Sequence, residues 1–292
     1  MKITERLNVL RELMKEKKID AYLVPTDDFH GSEYVGDYFK CRKYITGFTG
    51  SAGTAVIMQD MAGLWTDGRY FIQAADQLRG STIELFRSGE PGVPTVHQFL
   101  AEKLEKSMCL GFDGRTVSAK EAEELEKLLE EKNITFAVNE DLIGEIWRER
   151  PALPCEPVME LDVKWAGESR KDKIAGIREQ MKAKKANIFI LTSLDDIAWL
   201  LNIRGNDIHC CPVVLSYLIM TDAKFILQII SWFIGCNHTF FQHRCRISRK
   251  IFPSETVRPF MHIQKISYPM SGTMIIIFAK FPKRTSGKVI KV

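Results

Sequence analysis

The sequence lacks the features of a membrane or secreted protein. It contains no run of 18 consecutive apolar residues, and the longest apolar stretch, 213–235, is interrupted by Asp222 and Lys224, so we expect no membrane span. Residues 1–18 are charged throughout, which excludes a signal peptide there. Seven cysteines, an odd number, favour reduced thiols over a disulfide framework. These absences predict a cytoplasmic location.

The last 62 residues differ sharply in composition from the rest of the chain. Residues 231–292 contain no Leu, no Asp and one Ala, with 11 Lys and Arg against a single acid, Glu255. Leu and Ala are among the commonest residues in proteins. We therefore interpret 231–292 as an unrelated basic tail, produced by a frameshift or a similar event, that does not complete the domain before it and leaves apolar surface exposed.

Residues 1–150 alternate between helical and strand-like patterns. An amphipathic helix at 3–18 precedes the apolar strand IDAYLVP, and the paired strands TAVIM and GLWTD precede a helix within 68–78. Such alternation is typical of an α/β domain. The sequence therefore predicts a first α/β domain over 1–150 with a mixed sheet.

The proline-rich segment 151–168 is interpreted as a linker to a second, incomplete domain at 169–230. The second domain looks like a partial repeat of the first, since Tyr44–Gly50 aligns with Trp199–Gly205 at a constant offset of 155 residues. A shared period of this kind indicates two related units of one topology.

Two motifs in the first domain are interpreted as structural. The loop GFTGSAG, with Gly47 and Gly50, lacks both nucleotide-binding spacings, and a tight turn into a strand is its expected use. In WTDGRY, Trp65 is expected in the core, and Asp67 is expected to cap the helix that carries Arg69.

The stretch His209-Cys210-Cys211 raises the question of a metal site. Zinc ligand pairs usually have two to four residues between them, and adjacent residues of an extended chain point to opposite faces. We therefore predict no metal site here and interpret the cysteines as small apolar residues entering a strand.

The motifs YITGFTGSAGTAVI, LWTDGRYFIQA and LTSLDDIAWLLNIRGNDIHCCPVVLSY resemble the N-terminal and middle domains of Xaa-Pro aminopeptidases and, more broadly, creatinase and prolidase N-terminal domains. The resemblance covers about 1–228. It departs at Cys211, where the family usually has Asn before the proline.

The resemblance implies a role without catalysis for this chain. Family members release an N-terminal residue that precedes proline, using a C-terminal domain with two divalent metals, usually manganese. No residue here matches their five ligands, so we assign no catalytic and no metal-binding residue and no cofactor to this chain. The two domains of the family support a homodimer, expected here through the N-terminal domain, and gate access for proline-containing peptides; Arg204, Asp207 and His209 are the candidates on the substrate side.

Three classes of function remain open from the sequence. The first is a truncated peptidase-family chain without catalysis, and the second is a stand-alone dimerising interaction module. The third is nucleic-acid binding through the basic tail, because clustered Lys and Arg neutralise phosphates. The tail has no recognisable recognition motif, so we expect no nucleic-acid partner and no membrane partner.

Overall fold

The computed structural model describes residues 1–154, 156–221 and 224–229. The chain divides into two compact units, the first spanning Met1–Ala152 and the second beginning at Leu153. The predicted basic tail, 231–292, lies outside the described residues. Among the residues described, no helix is long and apolar enough to cross a membrane.

The first unit alternates strands and helices, as its sequence pattern predicts. Its strands are β1 (Ala21–Pro25), β2 (Thr54–Met58), β3 (Ala62–Thr66), β4 (Ile83–Arg87), β5 (Cys109–Phe112) and β6 (Thr135–Ala137). Its helices are α1 (Ile3–Glu16), α2 (Cys41–Thr46), α3 (Phe71–Gln77), α4 (Val96–Lys103), α5 (Ala119–Leu129) and α6 (Leu142–Ile146). Ser118 caps α5 by accepting a hydrogen bond from the backbone N–H of Glu121, which is one half of the predicted capping box.

The six strands of the first unit form one mixed sheet in the order β4-β3-β2-β1-β5-β6. The β2 strand pairs antiparallel with β1 and with β3, while the β3–β4, β1–β5 and β5–β6 pairs are parallel. The carboxyl ends of five strands, all except β2, therefore meet at one edge of the sheet. That edge positions the polar motifs described below.

Helices cover both faces of this sheet. Neighbouring residues of β1 point to opposite faces, so Tyr22 joins one apolar cluster and Leu23 the other. The Tyr22 cluster includes Leu10 of α1, and the Leu23 cluster includes Leu125 of α5. Each fully buried side chain of this size contributes about 1.5–3 kcal/mol. The result is a three-layer α/β core.

The second unit contains a smaller sheet. Its strands are β7 (Met159–Glu160), β8 (Ile188–Leu191), β9 (Ile203–Arg204), β10 (Ser216–Thr221) and β11 (Phe225–Ile229), and its helices are α7 (Val163–Ala166), α8 (Arg170–Ala183) and α9 (Leu194–Leu201). Three of the strands pair antiparallel in the order β11-β10-β8. One apolar cluster joins this sheet to α8 and α9 through residues such as Met181, Leu201 and Leu218.

The second unit repeats part of the first, as predicted. Its order β11-β10-β8 matches β3-β2-β1, with the same antiparallel pairings. The helix before each aligned loop ends on a left-handed residue, Gly47 with φ 77° after α2 and Asn202 with φ 51° after α9. These two residues are separated by the predicted offset of 155, and Gly and Asn are the residues that tolerate this conformation best.

The predicted linker at 151–168 has more structure than its sequence suggested. It contains β7 and α7, and β7 pairs antiparallel with β9. Leu153 and Val158 are both buried. A two-residue strand leaves no periodicity to detect, so sequence pattern could not reveal it.

Candidate functional site

Two identical tripeptides lie at the carboxyl edge of the first sheet. Asp67-Gly68-Arg69 follows β3, and Asp113-Gly114-Arg115 follows β5. In each, an aspartate Oδ1 accepts from the backbone N–H two residues on, at 3.0 and 3.1 Å, and from the same arginine's Nε at 2.8 Å. The arginine Nη2 completes the pair with Oδ2 at 2.8 Å. Sequence reasoning missed the second copy, although the repeated Asp-Gly-Arg was a visible signal.

The turn at Asp67 corrects one prediction. Helix α3 begins at Phe71, and its N-cap residue is Tyr70, without a side-chain cap. Asp67 therefore closes the turn before the helix and does not cap the helix. The Asp67 carboxylate accepts hydrogen bonds from the backbone N–H and the guanidinium of Arg69. Such local bonds between a side chain and nearby groups compete with helix formation, which explains why α3 begins later than predicted.

The Arg69 turn is open to solvent and polar. The side chain of Arg69 is 67% exposed, and its guanidinium carbon lies 5.2 Å from the centre of the Tyr70 ring. The Tyr70 hydroxyl lies 2.7 Å from Ser51 Oγ, and this hydrogen bond lowers the pKa of Tyr70. Exposed Ser51 and Arg69 and half-buried Tyr70 form a polar cluster at this edge.

The Arg115 turn, in contrast, is tied into the fold. Arg115 Nη2 and Arg150 Nη1 both donate to Asp141 Oδ2, at 2.8 and 2.6 Å. Burial alone would raise the pKa of Asp141, but Arg150 and Arg115 hold it below its ordinary value. Arg150 also donates to the Tyr38 carbonyl and lies 3.7 Å from the centre of the Tyr38 ring. The end of the first unit is thereby fixed to the short 3-10 helix Asp37–Phe39 that precedes α2.

Arg42 organises the glycine loop that contains Gly47 and Gly50. It is buried, and it donates to Thr26 Oγ1 at 2.7 Å, to the Phe48 carbonyl at 2.8 Å and to the Gly50 carbonyl. Burial lowers the pKa of this guanidinium to about 10. A Cβ on Gly50 would overlap the Phe48 ring. The loop is thus a tight turn bound to an arginine, as its glycines suggested, and the role of Arg42 was not predicted.

Trp65 lies in the core, as predicted. Its ring stacks on Phe86 at a centroid distance of 4.0 Å, and its Nε1–H donates to the Pro94 carbonyl at 2.8 Å. The indole is buried with its polar atom satisfied, so this residue holds β3 against the layer that contains α4.

The structure separates the three substrate-side candidates of the second unit. Arg204 donates to the Ala198 and Ile203 carbonyls at 3.0 and 2.8 Å. Asp207 is 4% exposed and accepts from the backbone N–H groups of Glu156 and Leu215 at 3.2 and 2.9 Å. His209 is exposed. Arg204 and Asp207 therefore contribute to the fold, and His209 is the member of the three that is open to solvent.

The cysteines after His209 do not lie in a strand, which corrects that prediction. Cys211 donates to the Ile208 carbonyl at 3.1 Å and closes a tight turn. Cys210 has φ 59°, so it does not follow the alternation of an extended chain. Strand β10 begins only at Ser216.

The described residues do not fit a two-metal centre. Such a centre needs several convergent carboxylate and imidazole ligands. Within residues 1–154, 156–221 and 224–229, no group of three or more His, Cys, Asp or Glu side chains is placed to hold a metal ion.

The two α/β units, related by an internal repeat, define a class of protein with paired α/β domains. Both belong to the creatinase/prolidase N-terminal domain family, whose models match residues 6–144 and 149–243. The second match continues past residue 230, where the sequence interpretation placed the end of that domain.

Comparison with individual proteins agrees with this assignment. The chain is 46% identical over 230 residues to a probable Xaa-Pro aminopeptidase P of Laccaria bicolor, covering 78% of this chain and 36% of that protein. It is 42% identical over 223 residues to aminopeptidase P2 of Arabidopsis thaliana, covering 75% and 31%. The chain therefore spans about one third of the length of these relatives.

A solved structure is similar to this chain. The X-prolyl aminopeptidase of Caenorhabditis elegans, described as a cytosolic enzyme with a di-nuclear active site, matches with a TM-score of 0.75 and 34% identity. The match covers 84% of this chain and 41% of that one.

Proposed function

We propose that this chain forms the two non-catalytic N-terminal domains of an Xaa-Pro aminopeptidase. The observation that supports it is the presence of two consecutive domains of one family, in a chain 46% identical to a probable Xaa-Pro aminopeptidase P. The reaction in which the domains take part is the release of an N-terminal residue that precedes proline. The cytosolic C. elegans relative supports a cytoplasmic location.

The proposed task of the domains is to position and gate the peptide substrate. The Arg69 side chain, 67% exposed at the edge of the first sheet, and the exposed His209 of the second unit are the proposed contacts with peptide. In the assembled enzyme, two divalent metals, proposed to be manganese, would activate water in the catalytic part. Residues 231–292 contain a single carboxylate, Glu255, so this chain does not supply that ligand set.

The test is hydrolysis of an Xaa-Pro peptide by the purified chain with added manganese. We expect no turnover above a chelator-treated sample, because hard divalent ions require convergent carboxylates, and the described part of the chain brings no such group together. A preparation from host cells without the gene controls for contaminating peptidases. Manganese-dependent turnover that exceeds this control would overturn the proposal.

We also propose that the chain forms a homodimer through its first unit. As a stand-alone dimerising module, the chain would bind its partners and would have no peptidase activity. Light scattering over a range of concentrations should give twice the mass of one chain. A monomer at every concentration would contradict dimerisation and leave the peptidase assignment untouched.

A further inference from the structure

The turn at 208–211 carries two adjacent thiols that the proposed function does not use. Cys210 is exposed and Cys211 is half-buried, and both are free thiols. The turn is closed by the hydrogen bond from Cys211 to Ile208. It is anchored at its base by the buried Asp207 carboxylate, which accepts from Glu156 and Leu215. Two free thiols therefore lie on consecutive residues of an anchored turn.

We propose that Cys210 and Cys211 form a vicinal dithiol site that binds trivalent arsenicals and similar soft, thiophilic ligands. Thiolates select soft ions over hard ones. A trivalent arsenical exchanges two hydroxyl groups for two sulfur atoms and releases two molecules of water, with no change in oxidation state. The two arsenic–sulfur bonds form a chelate, so loss of either thiol leaves only a single bond.

The geometry favours bridging by a larger atom over direct oxidation. Consecutive Cα atoms are about 3.8 Å apart across a trans peptide, whereas disulfides usually span Cα separations of about 4.4–6.8 Å. A disulfide between these neighbours would be strained and easily reduced. An arsenic atom placed between the sulfurs lengthens the bridge and relieves that constraint.

Other described cysteines compete poorly for such a ligand. Cys41 is half-buried beside Arg150, and burial raises its pKa to about 12. Cys109 is half-buried within β5. Burial also raises the pKa of Cys211, so we expect exposed Cys210 to react first and Cys211 to close the chelate.

Mass spectrometry after treatment with phenylarsine oxide tests the proposal on the full chain. The tryptic peptide 205–224 contains both thiols and no other cysteine. We expect one arsenical on this peptide that resists washing with a monothiol and is removed by a dithiol. In Cys210→Ser and in Cys211→Ser, retention should fall about 100-fold or more, because the second bond no longer benefits from a high effective concentration.

Two control variants test whether Cys109, Cys236 or Cys245 contributes to retention. Cys109→Ser and the double variant Cys236→Ser/Cys245→Ser should retain the adduct at the wild-type level. The proposal is overturned if the wild-type peptide 205–224 carries no adduct, or if a monothiol removes its adduct as fast as from Cys211→Ser. Retention in both single-serine variants would overturn it as well. Peptide mapping of the wild-type chain gives this answer even if a variant fails to fold.

Discussion

At the scale of residues, buried and half-buried charged groups hold the loops of this protein in place. Arg42 donates hydrogen bonds to two carbonyls of the glycine loop. Asp141 accepts from both Arg115 and Arg150. In the second unit, Asp207 accepts from two backbone N–H groups. A buried charge is tolerated only when it is hydrogen-bonded or paired. Each of these residues therefore stabilises a loop whose backbone would otherwise leave polar groups unsatisfied.

Arg42→Ala should be strongly destabilising. The substitution leaves the buried carbonyls of Phe48 and Gly50 without their donor, at a cost of about 1–3 kcal/mol each, so we expect a loss of about 3 kcal/mol. Urea denaturation followed by circular dichroism measures it. Arg69→Ala is the matched control, since Arg69 is exposed and should change the free energy of unfolding by less than about 0.5 kcal/mol. Equal effects of the two substitutions would contradict the assigned role of Arg42.

Asp27, which follows β1, should make stability depend on pH. Burial, reinforced by the charges of Asp28 and Glu121, raises its pKa from 3.8 to about 6. The folded state thus holds this proton more tightly than the unfolded state. The stabilising contribution is complete below about pH 4 and is lost as the pH rises through 6.

Asp27→Asn isolates that contribution, because the amide stays neutral at every pH. The melting temperature of the variant should exceed that of wild type above pH 6, and the difference should disappear below about pH 4. Asp60→Asn, at an exposed carboxylate in the β2–β3 turn, should show no such pattern. A difference between Asp27→Asn and wild type that is the same at all pH values would refute the argument.

At the scale of elements, Gly50 and Gly205 occupy positions of the repeated loop where a side chain would overlap neighbouring atoms. A Cβ on Gly205 would lie 2.8 Å from the Val213 carbonyl oxygen, just as one on Gly50 would overlap Phe48. Gly176, inside α8, has nothing within 4 Å. Substitution of alanine for glycine is therefore expected to lower the free energy of unfolding at Gly205 and to raise it at Gly176.

Gly205→Ala should destabilise the second unit by about 1–3 kcal/mol through overpacking. Gly176→Ala should stabilise it by about 0.5–1 kcal/mol, since glycine disfavours a helix interior by that amount. Urea denaturation of the two variants provides the comparison. If Gly205→Ala raised the free energy of unfolding, the loop at Gly205 would not be closely packed as the aligned loop at Gly50 is.

Much of the fold could be predicted from periodicity, and the exceptions have physical reasons. The α/β alternation, the hairpins and the partial repeat follow from apolar spacing and from the aligned Gly50 and Gly205. The predicted start of helix α3 was wrong because the hydrogen bonds between Asp67 and Arg69 form a separate turn before the helix. The role of Arg42 was missed because a lone arginine in a sequence gives no sign of burial. Closeness in sequence also did not reveal that Arg204 ends β9, that Asp207 is buried and that His209 is exposed.

At the scale of the whole molecule, the chain consists largely of two consecutive units of the creatinase/prolidase N-terminal domain family. The chain covers 36% of the Laccaria relative and 41% of the C. elegans structure. Its described residues form packed sheets and loops fixed by buried charges, and they do not gather the ligands of a metal centre. The predicted basic tail at 231–292 remains a prediction from composition.

The most direct test of the proposed function is a chimera in which residues 1–229 replace the corresponding N-terminal region of an active Xaa-Pro aminopeptidase. The control is the same enzyme without that region. We expect the chimera to hydrolyse an Xaa-Pro peptide with kcat/KM within about tenfold of the parent, a barrier difference of about 1.4 kcal/mol, while the shortened control falls far below it. A folded, metal-loaded chimera that is no more active than the shortened control would contradict the proposal that these two domains serve Xaa-Pro hydrolysis.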